Sequence, residues 1–225
     1  MGLPLTTQPL RLTPEEYFSA ESRATDRSEY RFGRLTMMAG GTYRHSRICH
    51  NVNVAVGFRL RGHPCQASES NTRVAVLRGH YYVYPDLTVV CGEPKFDPAD
   101  KFQTTLTNPT LVIEVLSEST EAYDRGDKFN RYRDLESLRE VVLVSSKQPS
   151  VLAFLRQNDG TWSMLPAEGL SATIRLRSLA TPTSHLEIPL AEIYEKVDFT
   201  LKQDTDPSAP PPPAPLPHAP SPDAP

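Results

Sequence analysis

The chain has 225 residues, 38% hydrophobic and 23% charged, with a net charge of −3, which suits one compact domain with an appendage. No run approaches the ~18 apolar residues of a membrane span, and no basic-then-apolar opening resembles a secretory signal. Cys49, Cys65 and Cys91 are three in number and lack CxxC spacing, which argues against a zinc site or disulfide framework and for reduced thiols in a cytoplasm.

Residues 1–11 read as a leader. Thr13-Pro14-Glu15-Glu16 starts a helix, with Thr as cap, Pro in the first turn and an acid at the third position. That helix runs to about Ser22. Residues 29–39 read as a hairpin turning at Gly33. From Arg44 onward, Ile48, Val52, Val56 and Leu60 recur every fourth residue, the spacing of an amphipathic helix, and Gly62 stops it. Residues 72–77 and 81–84 form a second hairpin around 78–80. The runs 86–91 and 110–116 are short, apolar and β-branched, as buried strands are. Residues 92–108 are polar, hold Pro94 and Pro98, and read as a loop. Ser119 or Thr120 caps a helix from 121 to about 137, and Glu140–Ser145 is a third apolar strand. Residues 151–156 and 161–166 flank Asn158-Asp159-Gly160 as another hairpin. Late strands and a short helix at 190–194 close the body, giving an α/β pattern with a mixed sheet.

Residues 203–225 hold ten of the 22 prolines and cannot build a core, so they read as a disordered, polyproline-II tail. The tail carries Asp204, Asp206 and Asp223 without Lys or Arg. The body is therefore neutral and does not advertise nucleic-acid binding as a basic domain would. Phosphate binding has to come from a local patch.

Glu114 interrupts the apolar run TLVIEVL. Strand alternation puts Val112, Glu114 and Leu116 on one side. An unpaired carboxylate there costs several kcal/mol (roughly 2–7) or takes up a proton, so Glu114 requires a cation, either an Arg or Lys or a metal ion. Asp86 opens the neighbouring run. Two hard oxygen ligands on adjacent strands suit Mg²⁺, although Asp after Pro is also a common strand entry. Lys128 and Tyr132 share a helix face. Lys128 can orient a water or steady a phosphate charge, or it can simply pair with Asp124 on the surface. Arg44, His45 and Arg47, then Arg59, Arg61 and His63, then Arg125, Lys128, Arg131 and Arg133 are the basic concentrations. They serve as phosphate contacts or as solvated surface.

PDLTVV, followed by LVIEVLSEST and AYDRGDKFNRYRDLESLREVVLV, resembles the Uma-type restriction endonuclease family of the PD-(D/E)XK nuclease superfamily. TPEEYF, SEYRFGRLTMMAGGTYRHSRI, GTW and IPLAEIYEKV extend the resemblance over residues 12–198. It implies an α/β, restriction-endonuclease-like core: a central mixed β-sheet flanked by helices, plus β-hairpins, in a nuclease domain spanning 12–202. Asp86 and Glu114 would bind Mg²⁺, with Mn²⁺ as a substitute, helped by the Val115 carbonyl. Glu29 matches the family's early acid and completes the catalytic set. The superfamily's lysine two residues after the acid is replaced by Leu116, and Lys128 occupies the matching position on the following helix. His45 matches a recurrent family histidine; with Arg125 and Tyr132 it is a candidate substrate contact. Asn71 stands where many relatives carry Asp, a departure that bears on activity. The implied function is metal-dependent hydrolysis of phosphodiester bonds in DNA by a cytoplasmic enzyme, with a homodimer as the expected assembly and no membrane partner. Two other readings are a catalytically inactive, nuclease-fold nucleic-acid-binding module and hydrolysis of a small phosphate ester at the same site.

Overall fold

The computed structural model describes residues 11–38, 41–77, 79–117, 121–181 and 184–201. The leader up to residue 10, the tail, the caps Ser119 and Thr120 and the turn residue Arg78 lie outside the described residues.

Helix α1 (Pro14–Glu21) begins as its sequence dictates: the Glu16 N–H donates to Thr13, and the Thr13 N–H donates to the Glu16 carboxylate. Two amides with no partner inside the helix are thereby satisfied. Strands β1 (Ser28–Arg31) and β2 (Arg34–Met37) form the expected hairpin. Phe32 and Gly33 have φ of 48° and 89°, the left-handed pair that a two-residue hairpin turn requires. Helix α2 (Tyr43–Arg59) buries Ile48, Val52 and Val56. Then come β3 (Cys65–Glu69), β4 (Arg73–Ala75), β5 (Tyr81–Val83), β6 (Leu87–Cys91), β7 (Thr105–Leu106) and β8 (Leu111–Leu116). Strand β3 has no predicted counterpart, and β7 falls inside the predicted loop.

The segment after β8 corrects the expected long helix. It consists of α3 (Glu121–Tyr123), a π-helical turn Asp124–Lys128, and α4 (Phe129–Tyr132). It stops short of Ser137 because Leu135 and Leu138 are drawn into the core from turns, with Ser137 tied to the Pro109 carbonyl. Strands β9 (Glu140–Ser145), β10 (Ser150–Arg156), β11 (Trp162–Glu168), β12 (Thr173–Thr181) and β13 (Ser184–Pro189) follow, then α5 (Leu190–Ile193).

The strands divide into a six-stranded sheet, β11-β10-β9-β8-β6-β3, a five-stranded sheet, β2-β1-β5-β4-β7, and the β12–β13 pair. The larger sheet is mixed: β8 and β9 run parallel, while β6 pairs with β8 antiparallel. Ile48, Val52 and Val56 of α2 and Ile174, Leu176, Leu186 and Ile188 of β12–β13 pack on Leu87, Ile113, Val115 and Val142. On the opposite face, Val112, Leu116, Val141 and Leu143 meet Val74, Tyr81 and Val83 of the smaller sheet, with Tyr132 and Leu138. Each such buried aliphatic side chain contributes about 1.5–3 kcal/mol. Strand β8 is buried along its whole length, which explains its unbroken apolar run. The mixed sheet with flanking helices and hairpins is thus present, and the second sheet is an addition to the expected plan.

The expectation of three reduced thiols is corrected. Cys65 and Cys91 face each other in the β3–β6 register with Cα atoms 3.9 Å apart and are joined by a disulfide. Antiparallel pairing supplies a proximity that sequence spacing does not show. Among the described residues, no helix is long and apolar enough to cross a membrane.

Candidate active site

Backbone pairing between β6 and β8 reaches only Leu87↔Ile113 at this end of the sheet. Beyond it, the Asp86 carboxylate continues the ladder by accepting from the Val115 N–H at 2.8 Å. The first turn of α2 faces this gap. His45, whose backbone N–H donates to the Thr42 cap, places Nε2 3.5 Å from Asp86 Oδ2. The Val115 backbone adds to the pull of Asp86 in favouring the charged form of His45. Cys49, one turn on, lies 3.6 Å from His45 Nδ1. His45, Cys49 and Asp86 each offer one ligand atom, and these atoms all lie within 4.8 Å of one another.

Glu114 projects from the opposite face of β8 toward the π-helical turn. Lys128 Nζ stands 2.8 Å from Glu114 Oε1, 3.4 Å from Glu29 Oε1 and 3.5 Å from Asp124 Oδ1. The Tyr132 hydroxyl donates to Glu114 Oε1 at 2.6 Å. Glu29 reaches the same cluster from β1. It accepts from Arg31 at 2.9 Å and from the Tyr123 hydroxyl at 3.0 Å. Arg31 lies two residues from Glu29 on the same strand face, with its guanidinium 3.9 Å from the Tyr123 ring centre. Tyr81 closes the cluster through a hydroxyl–hydroxyl bond to Tyr123. The widened π turn lets Tyr123, Asp124, Lys128 and the following Tyr132 all take part. Such turns recur at functional sites.

The charges do not balance. Glu29, Asp86, Glu114 and Asp124 are set against Lys128, Arg31 and a protonatable His45. Burial pushes Glu114 up to about 8; the Lys128 charge pulls it down, and Asp124 and Asp86 add to the rise. Burial opposes the charged form of Glu29 too, but Lys128 and Arg31 hold it below the ordinary carboxylate range. For Asp86, burial is outweighed by the His45 hydrogen bond and charge and by the Val115 N–H, so it stays low. Lys128 is held protonated against burial, chiefly by Glu114. His45 is raised despite burial, mainly by Asp86. An acidic cluster in which one carboxylate retains a proton fits an added divalent cation. His45, Cys49 and Asp86 are the side chains whose ligand atoms converge, and the charges of Asp86 and Glu114 act on each other.

The structure thus brings Glu29, Asp86, Glu114, Val115, Lys128, His45 and Tyr132 into one region. Tyr132 is 1% exposed and spends its hydroxyl on Glu114. It therefore positions a carboxylate. Arg125 pairs with Glu121 on the surface, apart from the buried cluster. Asn71 bonds to Arg27 and Glu69, and no hydrogen bond or ion pair joins it to the cluster. Tyr123, Arg31 and Cys49 were not anticipated, and Asp124 was expected only as a surface partner of Lys128. Period-two alternation from Glu29 would have found Arg31, and the one-turn spacing from His45 would have found Cys49.

The profile of a family described as "Uma2: Putative restriction endonuclease" matches residues 14–188. An uncharacterized protein of Synechocystis sp., slr1290, is 35% identical over 170 residues, covering 75% of this chain and 86% of its own length. A second from the same organism, sll1609, is 31% identical over 163 residues, covering 72% of this chain and 91% of its own. A crystal structure described as a "putative nuclease belonging to DUF820" from Anabaena variabilis matches with a TM-score of 0.64 at 14% identity, covering 81% of this chain and 97% of that one. At that identity the likeness speaks for the fold. With the profile spanning most of the body and two relatives above 30% identity, the chain belongs to the Uma2 family.

Proposed function

We propose that the chain is a metal-dependent endonuclease that hydrolyses phosphodiester bonds in DNA, using Mg²⁺ with Mn²⁺ as a substitute. The observation that supports this most is the buried, salt-bridged cluster of Glu29, Glu114 and Lys128, drawn from three segments, with Asp86 near enough for its charge to act on Glu114 and to feel that of Lys128. Membership of a restriction endonuclease family points the same way. Asp86, Glu114 and the Val115 carbonyl would hold the ion, which when bound supplies a Lewis acid for the phosphoryl oxygen and an acidified water. His45 keeps Asp86 anionic and oriented. Tyr132 fixes the rotamer of Glu114. Lys128 donates to a phosphate oxygen or to the attacking water and offsets charge that builds in the transition state. Glu29, braced by Arg31 and Tyr123, sets the position of Lys128. Residues 12–202 form the working domain, DNA as substrate implies the cytoplasm, and a homodimer would present two sites to the two strands.

The test is cleavage of DNA by the purified full chain with Mg²⁺, with Mn²⁺ and with chelator. We expect metal-dependent cutting, activity retained with Mn²⁺ because it takes the same oxygen ligands as Mg²⁺, and a loss of about 10³-fold or more in Asp86→Ala and Glu114→Gln. Undiminished cleavage in both variants would overturn the reading. One observation favours a second reading, a nuclease-fold DNA-binding module: Glu114 is already satisfied by Lys128 and Tyr132. DNA binding without metal, and no cleavage with any divalent ion, would select it.

A further inference from the structure

The outer side of the segment that carries Lys128 and Tyr132 has chemistry that the proposed site does not use. Arg131, Arg133 and Asp134 line an open concavity of about 430 Å³ with Arg156 and Trp162. The Arg156 guanidinium stands 4.9 Å from the Trp162 ring centre and donates to the Arg133 carbonyl. Its Nε is buried and has no hydrogen-bond partner. Phe129 braces Trp162 edge-on at 5.8 Å. Burial, then the charges of Arg139 and Arg133, hold Arg156 below its ordinary value; Asp134 and Glu136 offset this only in part. Among the described residues, none of Arg131, Arg133, Arg139 and Arg156 forms an ion pair.

Four arginine charges gathered from three chain segments and only partly offset by Asp134 and Glu136 repel one another, and a polyanion relieves that repulsion. Guanidinium forks match phosphate oxygens, and an indole edge or face offers a base something to stack against. We propose that this concavity docks the phosphate backbone of a nucleic-acid strand. The assignment of a nucleic acid rests on the nuclease reading. Arg131 and Arg133 flank Tyr132 in sequence, so the dock and the candidate active site are two faces of one helical segment, roughly 10 Å thick. The neutral body gains its phosphate contact from the three arginines of this concavity and not from a basic surface at large.

Trp162 is the single tryptophan of the chain and reports directly. The full chain, in chelator so that no cutting occurs, is titrated with a fluorescein-labelled DNA oligonucleotide. Anisotropy gives affinity, and Trp162 emission reports the dock. We expect quenched Trp162 emission on binding. The double variant Arg131→Ala, Arg133→Ala should bind about tenfold more weakly or worse, with its salt dependence reduced by about two phosphate contacts. Circular dichroism checks its fold, and Arg156→Lys, which keeps the charge but loses the fork, should also weaken binding. Unchanged affinity and salt slope in these variants, or binding without any change in Trp162 emission, overturns the dock. Displacement by inorganic phosphate as readily as by unlabelled DNA reduces it to a simple anion site and overturns the nucleic-acid assignment. Cleavage by a chain whose arginine variants bind normally sinks the dock and leaves the nuclease reading. Weakened binding in the arginine variants of a chain that cleaves with neither Mg²⁺ nor Mn²⁺ does the reverse.

Discussion

Lys128 is 5% exposed and touches Glu114, Glu29 and Asp124, so its charge is what permits three acids to be buried together. Removing one partner of a buried ionic group leaves the others uncompensated, at a cost of about 3–5 kcal/mol. Lys128→Met should therefore lower unfolding free energy by that order in urea titrations, while Arg125→Met, on the surface, should change it little. Glu114 was legible in the sequence because a charge inside an apolar strand demands a partner. Asp86 was legible as the acid opening the next strand. Lys128 was legible through resemblance more than through its own surroundings. Asp124 was read only as a surface partner for Lys128. The π turn, which carries both residues into the buried cluster, has no signature in side-chain spacing.

At the scale of elements, the short strand β7 owes its place to a network that hydrophobic patterning cannot reveal. Arg73 of β4 donates to Thr105, Thr104 and Asp100, and Asp100 also accepts from the Thr104 and Thr105 hydroxyls. These bonds turn part of a polar, proline-interrupted stretch into a parallel pairing with β4. Burial favours neutral Asp100, but the threonine hydroxyls, the Phe102 N–H and Arg73 outweigh it and hold the carboxyl low. A carboxylate depressed on folding stabilises above its unfolded value, near 3.9, and loses that contribution as pH falls through its folded value. The stability gap between the parent and Asp100→Asn should thus be widest above about pH 5 and shrink below about pH 4, as read by urea unfolding across that range. The hairpins and α1 were legible because turn and cap chemistry is local. Strand β3 (CQASE) was not, because it is an edge strand with little apolar content.

At the scale of the molecule, period and composition specified an α/β body with a mixed sheet, but not the split into two sheets, because strand partners are chosen by long-range packing. The cross-strand link between Cys65 and Cys91, 26 residues apart, belongs to this scale. Closing a loop of that length in the unfolded chain is worth about 3 kcal/mol. Reduction, verified by thiol alkylation and mass, should lower stability by that amount without dissolving the β3–β6 pairing. Glu29, Asp86, Glu114 and Lys128 come from β1, the entry to β6, β8 and the helical segment behind it. A ribosome delivers them one after another, and the last emerges only after more than half of the polypeptide. A product truncated before Lys128, or a proteolytic piece holding a single sheet, has no way to assemble the set. If the chain is the nuclease proposed, premature or broken copies are inert by construction, a built-in safety catch.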